Sequence, residues 1–169
     1  NKYYMLIRDV CSQYKVLYRF KTKDGCVAAW LDYIRDSRWP RRKGVILCHT
    51  VRLTTDDDVL FVEGKIREMN RNNLIGNWVI APHLHHSNPI EGGMRHTHNG
   101  ATMLLYHSGM PPSQYLDALE AFVTGENYVW TSTCYREQDK DKSPYMRRFD
   151  RKPHINDIAL FGCKTIVHV

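Results

Sequence analysis

Six of the nine histidines fall between Trp78 and His107, in the stretch WVIAPHLHHSNPIEGGMRHTHNGATMLLYH. Neutral imidazole is the commonest protein metal ligand, so several in one short stretch point first to a shared cation. His96 and His98 stand one residue apart, and so do His83 and His85. On an extended strand the side chains alternate, and each pair would turn both rings to one face. Two such strands joined by the loop 87–93 would bring several imidazoles to one ion, and Asn88 and Glu91 in that loop would add oxygen donors. A mixed set of this kind suits manganese or magnesium better than an all-imidazole zinc site. The competing account is a group of solvated loop histidines on a basic surface.

The balance of charge supplies a partner. A formal charge of +6 and a pI near 9.1 favour a polyanion. The cations also come in runs, Arg35, Arg38, Arg41, Arg42 and Lys43 first, then Lys140, Lys142, Arg147, Arg148, Arg151 and Lys152. Trp39, Tyr145 and Phe149 lie among them. Cations for phosphates and rings for unstacked bases are what a nucleic-acid surface needs; ordinary solubilising charge is the alternative.

These residues need elements to hold them. Residues 1–20 carry two apolar segments, YYMLI and YKVLYRF, that read as strands or as a strand and a short helix. Asp24 precedes a helical stretch with Val27, Trp30, Leu31 and Ile34 on one stripe, which Trp39-Pro40 stops. VILCHTVRL, residues 45–53, reads as a strand. Thr54-Thr55 followed by Asp56, Asp57 and Asp58 reads as a helix start, with Val59, Val62, Ile66 and Met69 as its stripe and Asn72-Asn73 as its end. Strands are expected over 78–82 and 101–107, on either side of the histidine loop. A helix opened by Pro111-Pro112-Ser113 follows, with Tyr115, Leu116, Leu119 and Phe122 inward. Last come a strand over 128–135, a polar segment and a strand pair around 158–169. The order predicts an α+β fold, a central antiparallel sheet with helices on one face.

At 169 residues the chain fits one domain, since ~150 residues already bury a proper core. Residues 44–145 would form the motif-bearing core, with 1–43 extending its sheet and helix layer. Five cysteines, an odd number without CxxC spacing, and no apolar run of ~18 residues point to the reducing cytoplasm and to no membrane span. A chain that begins at Asn1 without methionine fits a piece of a longer protein.

IAPHLHHSN, EGG, MRHTH and ATMLLYHSGMPPSQYLDALEAF together resemble the replication initiators of small rolling-circle plasmids, endonucleases of the HUH superfamily. The resemblance implies a ferredoxin-like core in which His96 and His98 are the paired histidines and His85 the loop histidine that completes the metal site. Asn88 falls at a ligand position, and His86 stands where that loop usually has an aspartate. It further implies a tyrosine nucleophile, Tyr135 in first place and Tyr128 in reserve. The phenolate attacks a metal-held DNA phosphodiester, leaving a 5′-phosphotyrosine link and a free 3′ hydroxyl for rolling-circle replication. The DNA would be single-stranded or hairpin origin DNA held by Arg38, Arg41, Arg42, Lys43, Lys142, Arg147, Arg148 and Arg151, with a helicase domain or host replication proteins as further partners. The cofactor would be Mn2+ or Mg2+ rather than Zn2+.

Three other readings compete. His86, Asn99 and His107 resemble the HNH nuclease pattern, in which a histidine activates water. His96, His98 and Asp117 resemble a metalloprotease signature. A basic nucleic-acid-binding module without catalysis is the fourth class.

Overall fold

The computed structural model describes residues 3–37, 50, 52–55, 64–80, 89–129, 139–154 and 161–163. They form a mixed α+β protein. The elements are β1 (Tyr3–Arg8), β2 (Lys15–Phe20), α1 (Gly25–Ser37), β3 (Arg52–Thr55), α2 (Lys65–Asn72), β4 (Gly76–Val79), α3 (Pro89–Ser108), a 3-10 turn (Pro112–Gln114), α4 (Tyr115–Tyr128) and α5 (Pro144–Phe149). No helix among the described residues is long and apolar enough to cross a membrane.

The chain divides into two compact units, one of residues 1–5 and 18–92, the other of residues 6–17 and 93–169. In the first, α1 buries Cys26, Ala29, Trp30, Tyr33, Ile34 and Ser37. That is the three-and-four spacing of one helix face. The expected stripe was rotated from this, because Leu31 is exposed while Ala29 and Tyr33 face inward. Trp30 Nε1 donates to Asn70 Oδ1 at 2.7 Å, and Asn70 Nδ2 donates to Asn77 Oδ1 at 2.6 Å. This chain of polar contacts satisfies an indole and an amide in the interior and ties α1, α2 and β4 together.

Sheet structure among the described residues consists of two separate pairs, β1–β2 and β3–β4, rather than a central antiparallel sheet. The loop between β1 and β2 is too short for a crossover, so that pair is antiparallel. β3 and β4 are parallel, with Arg52 opposite Gly76 and Thr54 opposite Trp78. The segment between them, which contains α2, returns the chain to the end where β3 began, and a parallel partner results. Thr54 and Thr55 end a strand; the first part of the helix expected after them, residues 56–63, lies outside the described residues. So do most of the expected strand 45–53, the stretch 130–138 and, apart from the turn at 161–163, the C-terminal strand pair.

α2 ends in a Schellman motif. Ile75 N donates to Asn70 O at 2.8 Å and Leu74 N to Arg71 O at 3.2 Å, with Leu74 in the left-handed region at φ 57. Glycine is the usual occupant of that position, and Leu74 is 91% exposed, so its side chain recovers nothing by packing. Leu74→Gly is expected to raise stability by about 1 kcal/mol, a gain of roughly 2–4 °C in Tm by thermal melting. An unchanged Tm would show that the turn carries no strain.

The largest expectation is overturned in the middle of the chain. Residues 89–108, which contain the paired histidines and the expected strand 101–107, form one helix, α3. Its inward residues, Gly93, Thr97, Gly100 and Ala101, recur at helical spacing. They are small, and a Cβ on Gly100 would overlap the Phe122 ring of α4. At Gly100 the Phe122 ring fills the space a side chain would need, and the helix forms despite the poor propensity of Gly92, Gly93, Asn99 and Gly100. Tyr128, expected to start a strand, is the last residue of α4. The expected polar segment ends at Pro144, and α5 has no counterpart among the expected elements. Ser143 caps it, its hydroxyl accepting from Met146 N at 3.3 Å, Pro144 opens it, and Asp150 closes it in the left-handed region.

Candidate nucleic-acid interface

The site in the second unit begins at the turn between β1 and β2. Asp9 accepts from Cys11 N at 3.0 Å and from Ser12 Oγ at 2.6 Å, and Gln13 takes a left-handed φ of 66. This Asx turn delivers Tyr14 and Lys15 to the end of α4. There the Asn127 amide holds the backbone of Lys15 from both sides: Lys15 N donates to Oδ1 at 2.8 Å and Nδ2 donates to Lys15 O at 2.7 Å.

The side chain of Lys15 is only 9% exposed, and its ammonium lies 2.6 Å from Glu126 Oε2. The other carboxylate oxygen of Glu126 is 2.9 Å from His96 Nε2. Thr97 sits beneath, donating to Gly93 O at 2.7 Å and 3.5 Å from Lys15 Nζ. A buried cation is thus matched by one carboxylate and a hydroxyl, while His96 caps the group from the solvent side with its ring edge-on to Phe122.

His98 departs from His96. Residues two apart on a helix point about 200° away from each other, so the rings that a strand would have aligned diverge. His98 stacks on Tyr115, with Nδ1 in contact with the phenol oxygen. Burial pushes the Tyr115 hydroxyl above its ordinary pKa, which keeps it protonated. Among the described residues no three His, Cys, Asp or Glu side chains are grouped to hold a metal ion. His83, His85, His86 and Asn88 lie outside the described residues, so of the expected ligand set only the divergence of His96 from His98 is visible, and it does not fit a shared ion.

A second group is contiguous with the first. Tyr14, next to Lys15, meets Phe149 edge-on at 5.3 Å, and Tyr128, two residues after Glu126, meets Tyr145 edge-on at 5.0 Å. Tyr145 and Phe149 are 4.7 Å apart between ring centres. The cations expected to hold DNA divide here. Arg148 is buried, 3.6 Å from Asp9 Oδ2 and with its guanidinium over Tyr14, so it secures the turn. Lys142 lies 2.8 Å from Asp139 Oδ1, and that hydrogen bond holds its pKa above the ordinary lysine value. Arg147 Nε donates to Asp139 O at 3.0 Å. Arg151 is exposed, donates from Nε to the Tyr145 hydroxyl at 2.9 Å and lies over that ring. Lys140 and Lys152 are also exposed. Arg38, Arg41, Arg42, Lys43 and Tyr135 fall outside the described residues.

The sequence reading missed Lys15, Glu126 and Asn127. None belongs to a motif, and Lys15 and Asn127 meet across 112 positions. Tyr14 carried a weak signal, an aromatic beside a lysine at a strand start. No protein-family model matches the chain, and none of the curated proteins is significantly similar to it.

Proposed function

We propose that the chain binds single-stranded nucleic acid through the face of α5 that carries Tyr145 and Phe149, together with Arg151 just past the end of that helix. One observation carries the reading: a pair of rings, one half-buried and one exposed, lies against an exposed guanidinium on a chain of net charge +6. Such a surface offers a flat apolar face for an unstacked base and a cation for its phosphate. Arg148 on Asp9 and the Asn127 clamp on Lys15 hold the rings from below, so little ordering is left for the moment of binding.

Fluorescence anisotropy with a labelled oligonucleotide tests it. Arg151→Ala is expected to flatten the dependence of log K on log salt by about one, and Tyr145→Ala to weaken single-strand binding by roughly 5- to 150-fold. Binding that neither substitution alters would remove the proposal.

The nicking endonuclease is the second reading, favoured by the place of Tyr128 at the edge of this aromatic group. Under it, Tyr128 or Tyr135 would attack a phosphodiester of single-stranded or hairpin origin DNA in a ferredoxin-like core. The chain would act in the cytoplasm beside a helicase or host replication proteins. His96 and His98 do not converge, so no step is assigned here to Mn2+ or Mg2+. A labelled single strand incubated with manganese and run on a denaturing gel decides it: a protein-linked band that Tyr128→Phe or Tyr135→Phe abolishes is expected, and its absence from the unaltered chain sinks this reading alone.

A further inference from the structure

Trp78 is 58% exposed, whereas Trp30 in the same unit is 1% exposed. An indole left largely in water forgoes the stabilisation its burial would give. The register places it. Residues opposite one another in a parallel pair share a face, and side chains alternate along each strand, so Arg52, Thr54, Gly76 and Trp78 lie on one face of β3–β4. Asn77 lies on the other, where its amide meets Asn70 of α2. The face turned away from α2 therefore presents Trp78 with the Arg52 guanidinium 5.3 Å from its ring centre.

Among the described residues, the four on that face include no acidic one, and Gly76 beside the indole adds no side chain to obstruct it. The exposed cation already uses the ring as a flat surface. We infer that Trp78 and Arg52 form a stacking platform for an unpaired nucleobase, with Arg52 taking the adjoining phosphate. The charge argues for this occupant over a protein partner: a guanidinium on an indole, with no carboxylate among the described residues of its face, complements a polyanion. The basic run Arg38, Arg41, Arg42, Lys43, which precedes β3 in the same unit, adds to the positive balance. The inference rests on the proposed nucleic-acid binding and gives it a second contact, in the other unit from Tyr145 and Arg151.

The test is anisotropy with fluorescein-labelled oligothymidylate and with a duplex of matched length, each titrated at several salt concentrations. Trp78→Ala is expected to weaken single-strand binding roughly 5- to 150-fold while leaving duplex binding and the salt slope unchanged. Trp78→Phe, which keeps a ring, recovers most of the loss, and Arg52→Ala lowers the slope by about one. Far-UV circular dichroism confirms that each variant is folded. If the unaltered chain binds the oligonucleotide and Trp78→Ala binds it equally well, the platform is wrong and the α5 interface stands. Equal loss on strand and duplex also overturns the platform. A chain that binds neither nucleic acid overturns both proposals.

Discussion

Glu126→Ala is expected to destabilise the chain by about 2–4 kcal/mol, measured by denaturant unfolding. Removing the carboxylate leaves the Lys15 ammonium in a position where the side chain is 9% exposed, with Thr97 Oγ1 at 3.5 Å as its remaining neighbour in the group. An uncompensated buried cation is what makes such a loss large. Glu126 itself is 23% exposed, which places the estimate below the full range for a dry pair. Lys15→Met tests the asymmetry. It removes the charge and keeps the aliphatic stem, and Glu126 retains His96 at 2.9 Å, so a cost of no more than about 1 kcal/mol is expected. Equal losses for the two variants would mean that water reaches the ammonium and the account of the group is wrong.

Gly100→Ala and Gly92→Ala lie on the same helix and are expected to act with opposite sign. Alanine in place of a helical glycine gains about 1 kcal/mol in propensity. At Gly92 a Cβ meets nothing within 4 Å, so that gain is realised. At Gly100 it would run into the ring end of Phe122, which is itself held edge-on against His96. Overpacking of this kind costs about 1–3 kcal/mol and a rigid aromatic ring yields poorly, so net destabilisation of up to about 2 kcal/mol is expected. Phe122→Leu should restore most of the loss in the double variant, a coupling that a thermodynamic cycle reads directly. Additive effects would show that the two residues do not meet.

The elements that were legible are those whose own sequence carries a period. α1 and α4 announce themselves by apolar residues three and four apart, and the two N-terminal strands by short alternating runs. α3 was misread because His96-x-His98 and the apolar run 101–107 fit a period of two when taken alone. The helical period there is written in small residues, Gly93, Thr97, Gly100 and Ala101, which hydrophobic patterning does not weigh. What meets them lies on other elements, Phe122 at Gly100, Arg8 at Gly93 and Lys15 at Thr97, and that is tertiary information. Pro89 at the first position of α3 was the available local signal. The basic character of 139–152 was legible, whereas the inward turn of Arg148 follows from Asp9, far away in the chain. Lys15 and Asn127 were invisible for the same reason.

The Asn127 clamp also sets an order of events. Its amide replaces a neighbouring strand for a single residue, closing on Lys15 across 112 positions of chain. During synthesis the N-terminal hairpin emerges long before its fastener exists, so the turn from Asp9 to Tyr14 waits on its local hydrogen bonds alone until α4 leaves the ribosome. Maturation of the second unit is therefore tied to the emergence of α4, and a ribosome stalled ahead of α4 would hold a nascent chain whose β1–β2 hairpin is still unlatched.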